Sequence, residues 1–107
     1  MEYRLIFKAL ADENRMKIVQ ILLKHSMCVR SLSKKLGITQ AAVSQHIKVL
    51  REAGLLKGEK RGYFMHYEVD REVLRALAEH IYALADAEKA GECHSCHGNC
   101  HHEKEEK

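Results

Sequence analysis

Apolar residues recur at helical spacing through the first 53 positions of the chain, change to strand-like alternation between 55 and 69, and return to helical spacing afterwards. In residues 3–10, Leu5, Ile6, Ala9 and Leu10 fall on one helical face. Asp12 then reads as the N-cap of a second helix over 13–24. That helix carries Met16, Ile18, Val19, Ile21, Leu22 and Leu23, too many apolar residues for a single stripe, so it is expected at the centre of the core. After a short connection at 26–29, VRSLSKKL predicts a third, short helix with Gly37 at its C-terminal cap. A fourth helix is expected from the N-cap Thr39 to about Ala53, burying Val43, Ile47 and Leu50 at i, i+4 and i+7. Leu55–Lys57 and Tyr63–Val69 alternate as strands, with Met65, Tyr67 and Val69 on one face. Gly58 and Gly62 bracket GEKRG, which predicts a hairpin with Lys60 and Arg61 at a basic tip. The last helix is expected over 70–89, with a stripe of Val73, Leu77, Ile81 and Leu84 flanked by Leu74, Ala78 and Ala85. That face is wide for a terminal helix on a small domain, which points to a dimer interface.

The order α-α-α-α-β-β-α, mainly helical with one small hairpin, is that of a winged helix–turn–helix. The pattern divides the chain into a folded domain over 1–89 and a flexible Cys/His-rich tail over 90–107. At 107 residues there is room for one domain and a modest core. No apolar run approaches the roughly 20 residues that span a bilayer, so no membrane partner is expected. No charged-then-apolar leader is seen, so a cytoplasmic location is expected. The net charge of +3 conceals an asymmetry. Residues 1–69 hold 13 Lys and Arg against 6 Asp and Glu, whereas residues 70–107 hold 5 against 9. A basic front portion invites a polyanion, although a solvated basic face would give the same count.

The fourth helix refines that expectation. Opposite its apolar face it carries Gln40, Ser44, Gln45, Lys48 and Arg51. Amides and hydroxyls can bond base edges or phosphates, and Lys and Arg neutralise phosphate, so this face is suited to DNA. Nothing in the chain suggests an enzyme: no nucleophile–base pair, nucleotide loop or carboxylate pair stands out.

Three segments, ALADENRMKIVQILL (9–23), VRSLSKKLGITQAAVSQHIKVLREAGLL (29–56) and GEKRGYFMHYEV (58–69), together resemble the ArsR-type (arsenic-repressor-like) transcriptional regulators. The resemblance runs over about residues 3–89 and implies a homodimer, joined through its first and last helices, that binds a palindromic double-stranded operator as a repressor. It also implies that the helix over 39–53 enters the major groove. Gln40, Ala41, Ser44 and Gln45 would then face base edges, and Lys48, Lys60 and Arg61 would touch phosphates. Two inducer sites known in the family are degraded here. Where a Cys-Val-Cys pair would begin the third helix, the chain reads MCVRS, with Cys28 kept and Arg30 in place of the second thiol. The site across the paired last helices would fall on Arg71, Val73, Leu84 and Ala87, none of which can serve it. His80 reads as an ordinary surface or interface histidine.

What remains is GECHSCHGNCHH, residues 91–102, with three of the four cysteines and four of the eight histidines. Cys93, Cys96 and Cys100, interleaved with His97 and His101, form a thiolate–imidazole set suited to Zn²⁺, Cd²⁺ or Ni²⁺ or, through three thiolates, arsenite. CHSCH also matches the haem-attachment pattern, but that chemistry requires export, so no haem is expected. Three functional readings stay open at this point. The tail thiols bind a thiophilic metal ion or metalloid that controls operator affinity. Alternatively Cys28 and a tail cysteine form a thiol sensor of reactive sulfur or oxidant, although Cys28 also reads plainly as a small buried hydrophobe. In the third, the fold serves metal storage or trafficking, or the tail merely holds metal without consequence for DNA.

Overall fold

Capping residues set the helix boundaries in the structure, a computed structural model that describes residues 1–91. The element order is α1 (Tyr3–Leu10), α2 (Glu13–Leu22), α3 (Val29–Leu36), α4 (Gln40–Glu52), β1 (Leu56–Arg61), β2 (Phe64–Val69) and α5 (Arg71–Ala85). Asp12 begins α2 by accepting a hydrogen bond from the Arg15 N–H at 3.0 Å. That bond, donated to the charged carboxylate, holds the Asp12 pKa below its ordinary value. Thr39 begins α4 in the same way, its hydroxyl accepting from the Ala42 N–H at 3.1 Å. Gly37 ends α3 in the left-handed region at φ 72°, where a side chain would be strained. Of the apolar residues in α2, Ile18, Val19 and Leu22 are buried, and they share one cluster with Ile6, Ala9, Leu32, Val43, Ile47, Leu50, Leu55, Leu56, Val69 and Leu77. Met16, expected in the core, lies on the outer side of α2 and is exposed.

The hairpin is longer and tighter than the glycines suggested. β1 and β2 pair antiparallel from Leu56↔Val69 to Arg61↔Phe64, leaving Gly62 and Tyr63 as a two-residue turn. Positive φ is confined to Gly62, at 65°, as a type II′ turn requires. Lys60 and Arg61 therefore stand in β1, one strand position back from the turn. Gly58 has a different role: a Cβ there would lie 2.9 Å from Met65 Sδ and 3.1 Å from Tyr67 Cε1, so its missing side chain makes room for both. A single antiparallel bridge from Met27 to Tyr67 fastens the α2–α3 connection alongside β2. The Asp70 N–H donates to the Leu55 carbonyl at 2.8 Å, and Arg71 reaches the Leu23 carbonyl at 2.6 Å, which together dock the start of α5.

The last helix stops at Ala85, four residues short of the expected end, and residues 87–91 carry no regular structure. Its stripe is buried only in part. Leu77 is in the core, but Ile81 and Leu84 are 45% and 62% exposed, as are Leu5 and Phe7 of α1 at 38% and 43%. α1 and α5 meet where His80 stacks on Tyr3, ring centroids 3.9 Å apart and planes 3° from parallel, with Phe7 tilted beside them at 6.4 Å. Among the described residues no helix is long and apolar enough to cross a membrane.

Candidate nucleic-acid interface

α4 is held by its inner face and offers its outer one. Val43 and Leu50 are completely buried and Ile47 nearly so, while Gln40, Ala41, Ser44, Gln45 and Lys48 are exposed, as the spacing predicts. The turn that aims this face is braced from within: the Ser33 hydroxyl donates to the Ile38 carbonyl at 2.6 Å, between the Gly37 cap and the Thr39 cap. Such a turn fixes α4 against α3 and leaves the outer face of its first two turns exposed, the arrangement that lets a helix enter a groove.

Arg15 adds a tie that the spacing did not reveal. Its Nε donates to the Ala9 carbonyl at 2.7 Å and its Nη2 to Lys8 at 3.4 Å, at the C-terminus of α1. Its Nη1 lies 3.4 Å from His46 Nδ1 on α4. One guanidinium thus joins the first helix to the helix with the polar face. Arg51, by contrast, sits with its guanidinium carbon 5.7 Å from the Tyr67 ring centroid, a cation–π contact that draws it back toward the hairpin.

The two hairpin cations are unlike each other. Arg61 donates to Ser26 Oγ at 3.2 Å and to the Glu59 carboxylate at 3.0 Å, so it braces the hairpin against the α2–α3 connection and its charge is partly answered. Lys60 makes no ion pair among the described residues. A groove of about 490 Å³ separates the hairpin end from the helices, lined by Cys28, Val29, Arg30, Gln40, Tyr63, Phe64 and Met65. This brings Arg30 and Tyr63 to the face that starts with Gln40. Neither was singled out from the sequence as a DNA contact. The Gly-Tyr pair in RGYF was the available signal for Tyr63, since a two-residue type II′ turn takes Gly at its first central position.

Cys28 also lines that groove and is half-exposed, which corrects the expectation of a buried hydrophobe. It is the N-cap of α3, with extended backbone, so its side chain lies along the first helical turn rather than in the core. Its Sγ is 3.5 Å from Ser31 Oγ, and this hydrogen bond is the main reason its pKa falls below the ordinary thiol value; partial burial opposes the effect. Among the described residues no group of three or more His, Cys, Asp or Glu is placed to hold a metal ion. Cys93, Cys96, His97, Cys100 and His101 lie outside the described residues.

Comparison with known proteins decides the family. The model for "bacterial regulatory protein, arsR family" matches residues 12–57, from the α2 cap to the start of β1. The arsenical resistance operon repressor of Bacillus subtilis (strain 168) is 32% identical over 94 residues, which cover 86% of this chain and 90% of that protein. The chain belongs to the arsR family of bacterial regulatory proteins. A cadmium resistance regulatory protein homologue of Staphylococcus aureus is 31% identical over 83 residues, 77% of this chain and 69% of that one. Among solved structures, an ArsR-like transcriptional regulator from Rhodococcus sp. RHA1 superposes with a TM-score of 0.73 at 25% identity, covering 78% of each chain. As an arsR-family member the chain is a DNA-binding regulator, and α3 and α4 form its helix–turn–helix with the β1–β2 hairpin as the wing.

Proposed function

We propose that this protein is a homodimeric transcriptional repressor that reads a palindromic operator with α4 and leaves it when a thiophilic metal ion or metalloid binds the C-terminal cysteines. The observation that carries the DNA half is the exposed row Gln40, Ala41, Ser44, Gln45 and Lys48, clear of the core and beside a hairpin bearing Lys60, which makes no ion pair among the described residues. In this reading Gln40, Ala41, Ser44 and Gln45 meet base edges, Lys48 and Lys60 meet phosphates, and Arg61 chiefly holds the wing. The apolar strip of Leu5, Phe7, Ile81, Tyr82 and Leu84 pairs two copies, which spaces two α4 helices about one DNA turn apart.

The inducer half rests on the donor chemistry of Cys93, Cys96 and Cys100 with His97 and His101, and on the arsenical and cadmium names of the relatives. Three thiolates and two imidazoles within nine residues match soft and borderline ions such as Zn²⁺, Cd²⁺ and Ni²⁺, or arsenite. Release requires that the ion bind the DNA-free form more tightly than the DNA-bound form. Operator affinity of the reduced full chain, titrated with each of these four, tests the claim; the 1–91 truncation is the control. Loss of affinity in the full chain alone supports it, and an unchanged affinity with all four refutes it. No enzymatic step enters this reading.

A second reading is favoured by one observation, the half-exposed Cys28 with its lowered pKa on the DNA-facing groove. There Cys28 and a tail cysteine act as a reactive-sulfur or oxidant sensor. Mass spectrometry after persulfide or peroxide treatment separates the two, since a Cys28-to-tail crosslink belongs only to the second. Storage or trafficking of metal is the third, and a steep salt dependence of DNA binding counts against it.

A further inference from the structure

We propose that the wing seats Tyr63 as an apolar wedge in the DNA minor groove that adjoins the major-groove stretch read by α4. The proposal rests on the DNA-binding reading above and adds a residue and a recognition mode to it. Tyr63 is 96% exposed, the most exposed large hydrophobic residue of the described chain, and no ring contact occupies it. Phe64 and Met65 follow at 45% and 38%, so the hairpin end presents an apolar point flanked by the Lys60 and Arg61 expected from GEKRG.

That point is held in place before any ligand arrives. Gly62 at φ 65° closes a two-residue turn, and the strands stay in register up to Arg61↔Phe64. Arg61 fastens the same end to Ser26 and Glu59, and the Met27–Tyr67 bridge fastens its base. A preset aromatic residue loses little freedom on binding, which favours its use as a contact. Its surroundings point to nucleic acid. Arg30 and Gln40 line the groove on one side of the tip, Lys60 stands on the adjoining strand, and Glu59, the one nearby acid, is already engaged by Arg61. A minor groove about 6 Å wide excludes the paired strands but admits a single side chain projecting from the turn. Proteins that bind there commonly insert an apolar side chain against or between base steps. The phenol hydroxyl can bond the adenine N3 and thymine O2 acceptors on the groove floor. Such a wedge favours flexible pyrimidine–purine steps at positions α4 does not touch.

The experiment uses the full chain and a duplex recovered by selection from random sequence with the wild-type protein. Affinity is measured against salt for wild type, Tyr63→Ala, Tyr63→Phe and Lys60→Ala, with hydroxyl-radical footprints of each. Tyr63→Ala is expected to weaken binding roughly tenfold with the salt slope unchanged, because a wedge displaces no counterions. It should also lose the protections beside the α4 site, while Tyr63→Phe keeps most of the affinity and Lys60→Ala lowers the slope by about two, one contact from each copy. Wild-type affinity and footprint in Tyr63→Ala overturn the proposal. So does a Tyr63→Ala effect that appears only in a protein–protein contact, seen as altered mass in solution with DNA binding intact. If wild type itself shows no salt-dependent binding to duplex DNA, it is the DNA-binding reading that fails. Thermal melts of the exposed-site variants confirm that the fold is retained.

Discussion

Single side chains on α4 divide into those that specify and those that attract. Gln45 is exposed beside Ser44 on the outer face, so Gln45→Ala should cost about 1–3 kcal/mol against the preferred operator and blur its choice of base at one position. Lys48→Ala should instead weaken binding to all sequences alike and reduce the salt slope by about two, one contact from each copy. Both are read from competition binding on operator and scrambled duplexes. Cys28 offers a third residue-scale test. With its pKa lowered chiefly by Ser31, it holds more thiolate at a given pH than an ordinary cysteine. Its alkylation should therefore set in at lower pH than in the unfolded chain, and Ser31→Ala should shift that profile upward. An unmoved profile in Ser31→Ala would remove Ser31 as the cause. Asp12 carries the opposite linkage to a raised base: its depressed pKa stabilises the folded state at neutral pH and ceases to do so as pH falls through the acid range.

At the scale of elements, the sequence was readable wherever a local signal dictated the outcome and misleading wherever packing did. Asp12, Gly37 and Thr39 are local signals, since each meets the backbone of its own helix within about one turn, and all three boundaries were legible. The wing was legible as a hairpin but its turn was misplaced, because Gly58 serves space beneath Met65 and Tyr67 rather than a bend. Taking it as a bracket moved Lys60 and Arg61 to the tip and hid Tyr63. The end of α5 was equally hidden, since apolar spacing continues through Ala87 without a breaker before Gly91. On α4 the exposed and buried faces followed directly from i, i+4 spacing, so the exposed polar row from Gln40 to Lys48 was legible almost in full. Arg15 was beyond reach, because its partners lie on α1 and α4, and His46 is 31 positions away. It makes a prediction of its own: Arg15→Ala should cost about 1–3 kcal/mol in urea unfolding, as expected for charged hydrogen bonds lost from a half-buried site. An operator affinity that falls further than the stability loss accounts for would assign Arg15 to the setting of α4 against α1.

For the whole molecule, the exposed apolar strip on α1 and α5 is the feature a monomer cannot explain. Ile81, Tyr82 and Leu84 face outward at the end of a helix whose other turns pack in the core. In the proposed dimer, pairing two such strips would hide them and would place two recognition helices on one DNA face. Ile81→Glu combined with Leu84→Glu should give a folded monomer by light scattering, with operator affinity reduced by orders of magnitude. A dimer that survives both changes would move the interface elsewhere. The central claim is that this dimer binds duplex DNA through α4 and the wing, and its salt dependence on a palindromic operator tests that most directly. With Lys48 and Lys60 from each copy at phosphates, the log–log slope should be roughly −4, at one dimer per palindrome. A slope near zero, or equal affinity for operator and unrelated duplex at every salt concentration, would contradict it.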